Sequence, residues 1–170
     1  MRTFGLDERV IEDRREMEQI LRSAKVGRLC FCLNGMPFII PLNFAFDNGT
    51  IYIHGSDQGL RTESLLEHPT VCFEVDEFQG TLPASMPCEF DTAYRNVVAY
   101  GTAQPLQSID EKLHAFRLIV TKYAGEEATD TLTRSEVDKY RSSRSRETAV
   151  VKIQIERMTG KHSVNGPELE

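Results

Sequence analysis

No apolar run in this sequence approaches the roughly 20 residues of a membrane-spanning helix. The opening stretch, MRTFGLDERVIEDRREM, lacks the apolar segment of a secretory signal. The expectation is a cytoplasmic protein with no membrane partner. There is no C-x-x-C motif, and the four cysteines, Cys30, Cys32, Cys72 and Cys88, are expected as reduced thiols in that compartment. Cys30 and Cys32 form a C-x-C pair that would share one face of a strand as two small buried side chains. No His or Cys partner stands at zinc-ligand spacing, so no metal site is expected. Positive charge is not in excess: 20 Lys and Arg against 26 Asp and Glu leave a net charge of −6. That balance argues against nucleic acid or an anionic membrane as a partner, while leaving room for one phosphate in a local basic pocket. There is no G-x-G-x-x-G fingerprint of a Rossmann-type nucleotide domain, and no repeat, low-complexity segment or linker that would divide the chain.

What is present is ordinary globular material, with 40% hydrophobic and 27% charged residues. A length of 170 residues suits one domain over 1–170, with a core over about 12–160 and a C-terminal tail over 161–170. Residues 12–24 place Met17, Ile20, Leu21 and Ala24 on one helical face, with Asp13 as a cap and Gly27 ending the pattern. Strands are expected over 27–34, 36–46, 50–55, 70–77, 92–104 and 148–156. Asn34-Gly35 and Asp47-Asn48-Gly49 are the strongest turn signals between them. Three helical stretches interrupt the series: 59–68, then 108–124 with a capping box at Ser108 and Glu111, then 133–141 with another at Thr133 and Glu136. Residues 78–91 read as a long loop, of the kind that often carries function. The pattern predicts a mainly β, α+β fold in which six antiparallel strands form a barrel with peripheral helices.

The most informative stretch is IYIHGSDQGLRTESLLEHP, residues 51–69. A strand ends at His54, small residues follow at Gly55, Ser56 and Gly59, and Arg61 opens a short helix. Glycines admit close backbone approach, N–H groups at a helix start face negative charge, and a guanidinium grips phosphate oxygens with its fork. The same residues also fit a common Gly-Ser turn with a solvated arginine. Pro41 cannot donate a ladder hydrogen bond, so it belongs at a sheet edge or a bulge. That edge is either plain or faces a polar ring.

Six blocks recur together: V-G-R-L (26–29), P-x-x-I-P-L-N-F (37–44), I-Y-x-H-G (51–55), V-C-F-E-V-D (71–76), Y-R-x-V (94–97) and M-T-G-K (158–161). In order and spacing they resemble the nitroimidazole-resistance branch of the pyridoxamine 5'-phosphate oxidase-like, FMN-binding split-barrel superfamily. The resemblance implies a six-stranded split barrel that forms a homodimer with two FMN sites at the interface. It implies that Ile40, Pro41, Leu42 and Asn43 lie along the isoalloxazine ring. The loop of His54, Gly55, Ser56 and Gly59, with Arg61, would hold the ring edge and phosphate. The family more often has lysine at the position of Arg61, and arginine keeps the charge. Tyr94 and Arg95 match the Y-R-x-V block and would approach the site within or across the dimer, whereas Asn96 replaces the usual serine.

His54 is either a structural strand end, a flavin contact or, with an ordinary pKa near neutrality, a proton donor and so the candidate catalytic residue. His68 is expected to close the short helix, with His114 and His162 structural or exposed. Cys88 is expected as a buried thiol lining the pocket. The implied activity is an FMN-dependent reductase, with FAD as the other possible flavin. It would take electrons from NAD(P)H or another donor and pass them to a small acceptor such as a 5-nitroimidazole, reduced as far as the amine. A flavin-binding or sensing protein without turnover, and a haem-binding barrel with His54 or His162 as ligand, are the alternatives. The tail GKHSVNGPELE lacks the basic motif that true pyridoxamine-phosphate oxidases use for substrate.

Overall fold

The computed structural model describes residues 9–140 and 148–163. In chain order the elements are β1 (Val10–Ile11), α1 (Arg14–Ser23), β2 (Gly27–Leu33), β3 (Met36–Leu42), β4 (Phe44–Asp47) and β5 (Thr50–Ser56). There follow α2 (Leu60–Glu67), β6 (Thr70–Leu82), β7 (Asp91–Pro105), α3 (Ile109–Ala124), α4 (Arg134–Lys139) and β8 (Thr148–His162).

Two Asn-Gly pairs set the frame. Asn34, Gly35, Asn48 and Gly49 have φ of 51°, 78°, 45° and 76°, the left-handed conformation that both central residues of a two-residue hairpin turn require. The first pair folds β2 onto β3 and the second folds β4 onto β5. The strand expected over 36–46 is therefore two strands, broken at Asn43. Up to Leu42 the chain is paired with β2, and from Phe44 onward it is paired with β5.

Every pairing is antiparallel, and the sheet runs β3-β2-β6-β7-β8-β5-β4, with β1 against β8. Its two end strands, β3 and β4, are consecutive in sequence. The ribbon thus curls until its edges meet at Asn43, and β3 and β4 share no ladder there. This is an open, split barrel. It has eight strands rather than the expected six because the 36–46 strand divides and because two residues near the N-terminus pair with β8. Pro41 lies on the edge strand β3, as a proline in a sheet must.

Inside the curl, Leu29, Phe31, Phe44, Phe46, Ile51, Ile53, Val71, Phe73, Val75, Val97, Val151 and Ile153 are buried together with Ile20 and Leu21 of α1. Phe44 meets Phe73 edge-on, with centroids 4.9 Å apart. Asp13 caps α1 as expected, its carboxylate accepting the Arg15 N–H at 2.8 Å. A second, smaller core of Leu106, Ala115, Phe116, Leu132, Val137 and Val150 lies between α3, α4 and the start of β8.

Several local expectations change. The loop expected over 78–91 is shorter: β6 continues to Leu82 and β7 begins at Asp91, leaving 83–90 as the tip of a long hairpin. Cys88 is exposed on that tip rather than buried. Cys32 is exposed and Cys30 only partly buried, because β2 turns this side of the pair outward. β8 continues to His162, so the expected tail begins later than 161. Residues 164–170 of that tail lie outside the described residues. Ser108 caps α3 by backbone geometry alone. The carboxylate meant for its box instead accepts from Lys152 Nζ at 3.2 Å, because β8 passes within reach of Glu111. The box at Thr133 and Glu136 forms fully, although the helix ends at Lys139. His68 closes α2, its N–H donating to the Ser64 carbonyl at 2.7 Å. His114 is exposed, 3.8 Å from Asp47, and His162 ends β8 at 3.7 Å from Glu16.

Candidate functional site

The corner where the chain changes edges brings two of the sequence's candidate groups together. Phe44 pairs with Ile53, and that register carried one residue further sets Asn43 opposite His54. The edge-strand run Ile40 to Asn43 therefore leads directly to the end of β5 and the loop of Gly55, Ser56 and Gly59. Ile40 and Leu42 pack partly into the barrel core, whereas Pro41 and Asn43 are exposed.

Arg61, in the first turn of α2, folds back over β5. Its Nη2 donates to the Ser56 carbonyl at 3.0 Å, and that oxygen also accepts from Thr62 Oγ1 at 3.0 Å. The guanidinium fills the space that a side chain on Gly55 would need. Among the described residues no carboxylate lies within ion-pair range of it. Burial pushes its pKa below the ordinary arginine value, though a guanidinium so basic stays charged. A half-buried cation with donors left over, beside a small-residue loop, has the chemistry to pair with an anion. Gly59 takes φ 106° at the start of α2, and Ser56 Oγ accepts the Gln58 N–H at 3.2 Å. Ser64, fully buried in α2, ties the helix to β2 by donating to the Cys32 carbonyl at 2.9 Å.

His54 stands differently. Side chains alternate along a strand, so His54 faces away from the guanidinium seat at Gly55. Its ring lies 5.7 Å from the Phe116 ring of α3. Its Nδ1 is buried with no partner among the described residues. Burial first, and the positive charge of Arg61 second, hold its pKa below the ordinary value. A neutral imidazole at pH 7 can make a directed hydrogen bond but is a poor source of protons, so the geometry favours contact over proton donation.

Tyr94, Arg95 and Asn96 are not brought to this corner within one chain. Arg95 is opposite His162 near one end of β8, and Gly55 is opposite Ala149 near the other. Arg95 Nε donates to Glu77 at 2.5 Å, and Glu77 also accepts from Ser23 Oγ at 2.5 Å. Asn96 stands between Asp76 and Lys161.

Sequence reasoning missed Tyr123 and Lys122, on the last turn of α3. The Tyr123 hydroxyl donates to the Lys25 carbonyl at 2.7 Å and accepts the Phe44 N–H at 3.0 Å, pinning the backbone next to Asn43. Lys122 Nζ lies 3.5 Å from the centroid of the Phe44 ring and donates to the Leu21 carbonyl at 3.2 Å. Burial and the nearby Lys25 lower its pKa to about 8. No local signal marks either residue, because their partners lie far away in sequence. Two cavities, of about 300 and 470 Å³, border α3 and include none of the flavin-contact candidates.

An antiparallel sheet curled until its two end strands meet at one open corner defines a split barrel. The chain belongs to the pyridoxamine 5'-phosphate oxidase family, whose sequence profile matches residues 13–162. Among solved structures it resembles a candidate 5-nitroimidazole antibiotic resistance protein of Bacteroides thetaiotaomicron. The two are 26% identical, with a TM-score of 0.71, over 89% of this chain and 85% of the other. The flavocytochrome Anf3 of Azotobacter vinelandii shares the fold at 23% identity and TM-score 0.72, over 95% and 72% of the two chains. So does the FAD and heme binding protein of Mycobacterium smegmatis, at 18% identity and TM-score 0.76, over 95% and 77%. The fold is thus one that flavin-binding proteins use. No helix among the described residues is long and apolar enough to cross a membrane.

Proposed function

We propose that this chain forms a homodimer that binds FMN at its interface and reduces a small acceptor such as a 5-nitroimidazole with electrons from NAD(P)H. The observation that carries this reading is Arg61: a half-buried guanidinium with no carboxylate partner among the described residues, seated over Gly55 and held by the Ser56 carbonyl. Those residues fit a phosphate. The edge-strand run from Ile40 to Asn43 ends at the same corner, which gives a flat ring an apolar strand edge with the exposed Pro41 and the Asn43 amide beside it.

In this reading Arg61 neutralises the phosphate through its free N–H donors, and Gly55 keeps the guanidinium close to the backbone. Ser56 and the first turn of α2 offer further donors. Tyr123 fixes the position of Phe44 and so of the neighbouring Asn43. His54, neutral and turned toward Phe116, shapes the corner. A bound flavin would supply the redox chemistry, the protein supplying position and electrostatics. Tyr94, Arg95 and Asn96 would reach the site only from the second subunit, since within one chain they lie at the far end of β8. The dimer and the cytoplasmic setting belong to the same proposal, and FAD is the alternative flavin.

The deciding experiment is an absorption spectrum of the purified protein before and after incubation with FMN, and separately FAD, followed by desalting. Retained flavin bands support the reading, and the flavin retained identifies the cofactor. Anaerobic NAD(P)H consumption dependent on a 5-nitroimidazole then tests turnover. Flavin retained without turnover would leave a flavin-binding or sensing protein. No flavin retained at all would overturn the proposal, and an intense Soret band would point to haem instead.

A further inference from the structure

Cys30 on β2 and Cys72 on β6 are direct register partners. Opposed residues of an antiparallel pair project from the same face with Cα atoms about 4.5–5.5 Å apart, inside the roughly 4.4–6.8 Å that a disulfide spans. Both thiols are partly buried, on the side of β2 that also carries Arg28. Their neighbours across the sheet are Ile39 of β3 and Tyr100 of β7. Cys32 points the same way, but lies diagonal to Cys72, at about 7–8 Å, beyond bridging distance. Cys88 sits on the distant hairpin tip. Only one of the possible pairings therefore has the geometry of a bond.

We propose that Cys30 and Cys72 form a reversible redox pair that closes to an intramolecular, cross-strand disulfide when the protein meets a peroxide. The Cys30 sulfur attacks one peroxide oxygen, the O–O bond breaks, and with proton uptake one water leaves, giving a sulfenic acid on Cys30. The Cys72 sulfur then displaces the sulfenic hydroxyl, the S–S bond forms, and a second water departs with the Cys72 proton. Two thiols are oxidised by two electrons and one peroxide is reduced to two waters.

The two thiols are not equivalent. Burial raises both, but the hydrogen bond between them lowers Cys30 and raises Cys72. Cys72 is pushed up to about 11, by burial first and by Cys30 next. Cys30 is therefore the attacking sulfur and Cys72 the resolving one. Opposed Cβ atoms in a sheet stand about 4.5–5.5 Å apart, wider than the ~3.8 Å mean of a disulfide. Closure must draw β2 toward β6, which places the bond in the easily reduced class. β2 is also the ladder partner of β3, so the bond would stiffen the sheet beneath Ile40 to Asn43.

The test uses the full chain and its Cys32→Ser variant, in which the tryptic peptide containing Cys30 has a single cysteine. Each is treated with hydrogen peroxide, alkylated and digested without reduction for mass spectrometry. The expected result is a Cys30–Cys72 linked peptide as the main product, removed by dithiothreitol, with Cys88 alkylated. Its rate of formation should rise about tenfold per pH unit between pH 7 and 8, as a thiolate nucleophile requires. In Cys72→Ser the link is absent and Cys30 goes on to the sulfinic acid. Alkylation of both Cys30 and Cys72 after oxidation, or links distributed among all the cysteines or between chains, would overturn the proposal. The mass readout does not depend on flavin binding.

Discussion

The Arg61 guanidinium occupies the volume that a methyl group on Gly55 would need. Two residues that are merely close in sequence are thereby coupled: the glycine is the seat and the arginine the occupant, and the Ser56 carbonyl holds the occupant in place.

Gly55→Ala and Arg61→Ala should both weaken FMN binding while leaving the sheet folded. A charge-assisted hydrogen bond contributes about 1.5–3 kcal/mol, and each 1.4 kcal/mol is about tenfold in affinity. Flavin-fluorescence titration of Arg61→Ala should therefore show a loss of roughly ten- to a hundredfold. Arg61→Lys should retain most of the affinity. Unchanged FMN affinity in both Gly55→Ala and Arg61→Ala would remove the phosphate assignment.

Tyr123→Phe deletes the hydroxyl that accepts the Phe44 N–H and donates to the Lys25 carbonyl. A partly buried N–H left without an acceptor costs about 1–3 kcal/mol. The urea midpoint should fall accordingly, with the slope of the transition unchanged. Flavin affinity should fall as well, since Asn43 adjoins the released strand. A wild-type midpoint would show that the hydroxyl does not hold the corner.

Lys122 makes stability depend on alkaline pH. Its folded pKa is lowered to about 8 from an ordinary 10.5. Between these values the unfolded chain holds a proton that the folded chain has released, so stability rises with pH across that window. Below pH 8 both states are protonated and the burial penalty is felt in full. Lys122→Met should therefore melt above the wild type at pH 7, and the gap should shrink toward pH 10. A gap independent of pH would mean that the amine is not held in its depressed state.

Arg95→Ala separates a local from an intersubunit role. The pair with Glu77 is partly exposed, and such pairs contribute no more than about 1 kcal/mol. Melting should change little. If Arg95 reaches the flavin of a second subunit, FMN affinity drops much further than that figure allows, and sedimentation shows a dimer. A monomer that retains FMN with unchanged affinity would place the site within one chain.

Legibility followed distance along the chain. The turns at Asn34-Gly35 and Asn48-Gly49, the Asp13 cap and the box at Thr133 and Glu136 depend on residues a few positions apart, and each formed. The box at Ser108 and Glu111 has equally good local spacing. It lost to Lys152, which is close in space and 41 residues away in sequence. The loop expected over 78–91 begins only after Leu82: Gly80 interrupts the local strand pattern, but the long β6–β7 hairpin supplies ladder partners past it as far as Leu82 and Asp91.

The candidate site divides the same way. His54, Gly55, Ser56, Gly59 and Arg61 stand within eight residues, so their order alone offers an anion loop as one of two readings, the other being a common Gly-Ser turn with a solvated arginine. The break at Asn43, the turning of His54 onto Phe116, the clamp of Tyr123 on Phe44 and the facing of Cys30 with Cys72 are products of sheet order and register. Local preference is written in neighbouring residues because backbone angles and short-range hydrogen bonds are set there. Which strands become neighbours is settled only when the ribbon curls to bury Phe44, Phe73 and Ile53 in one core, and residues far apart in sequence meet as a consequence of that burial.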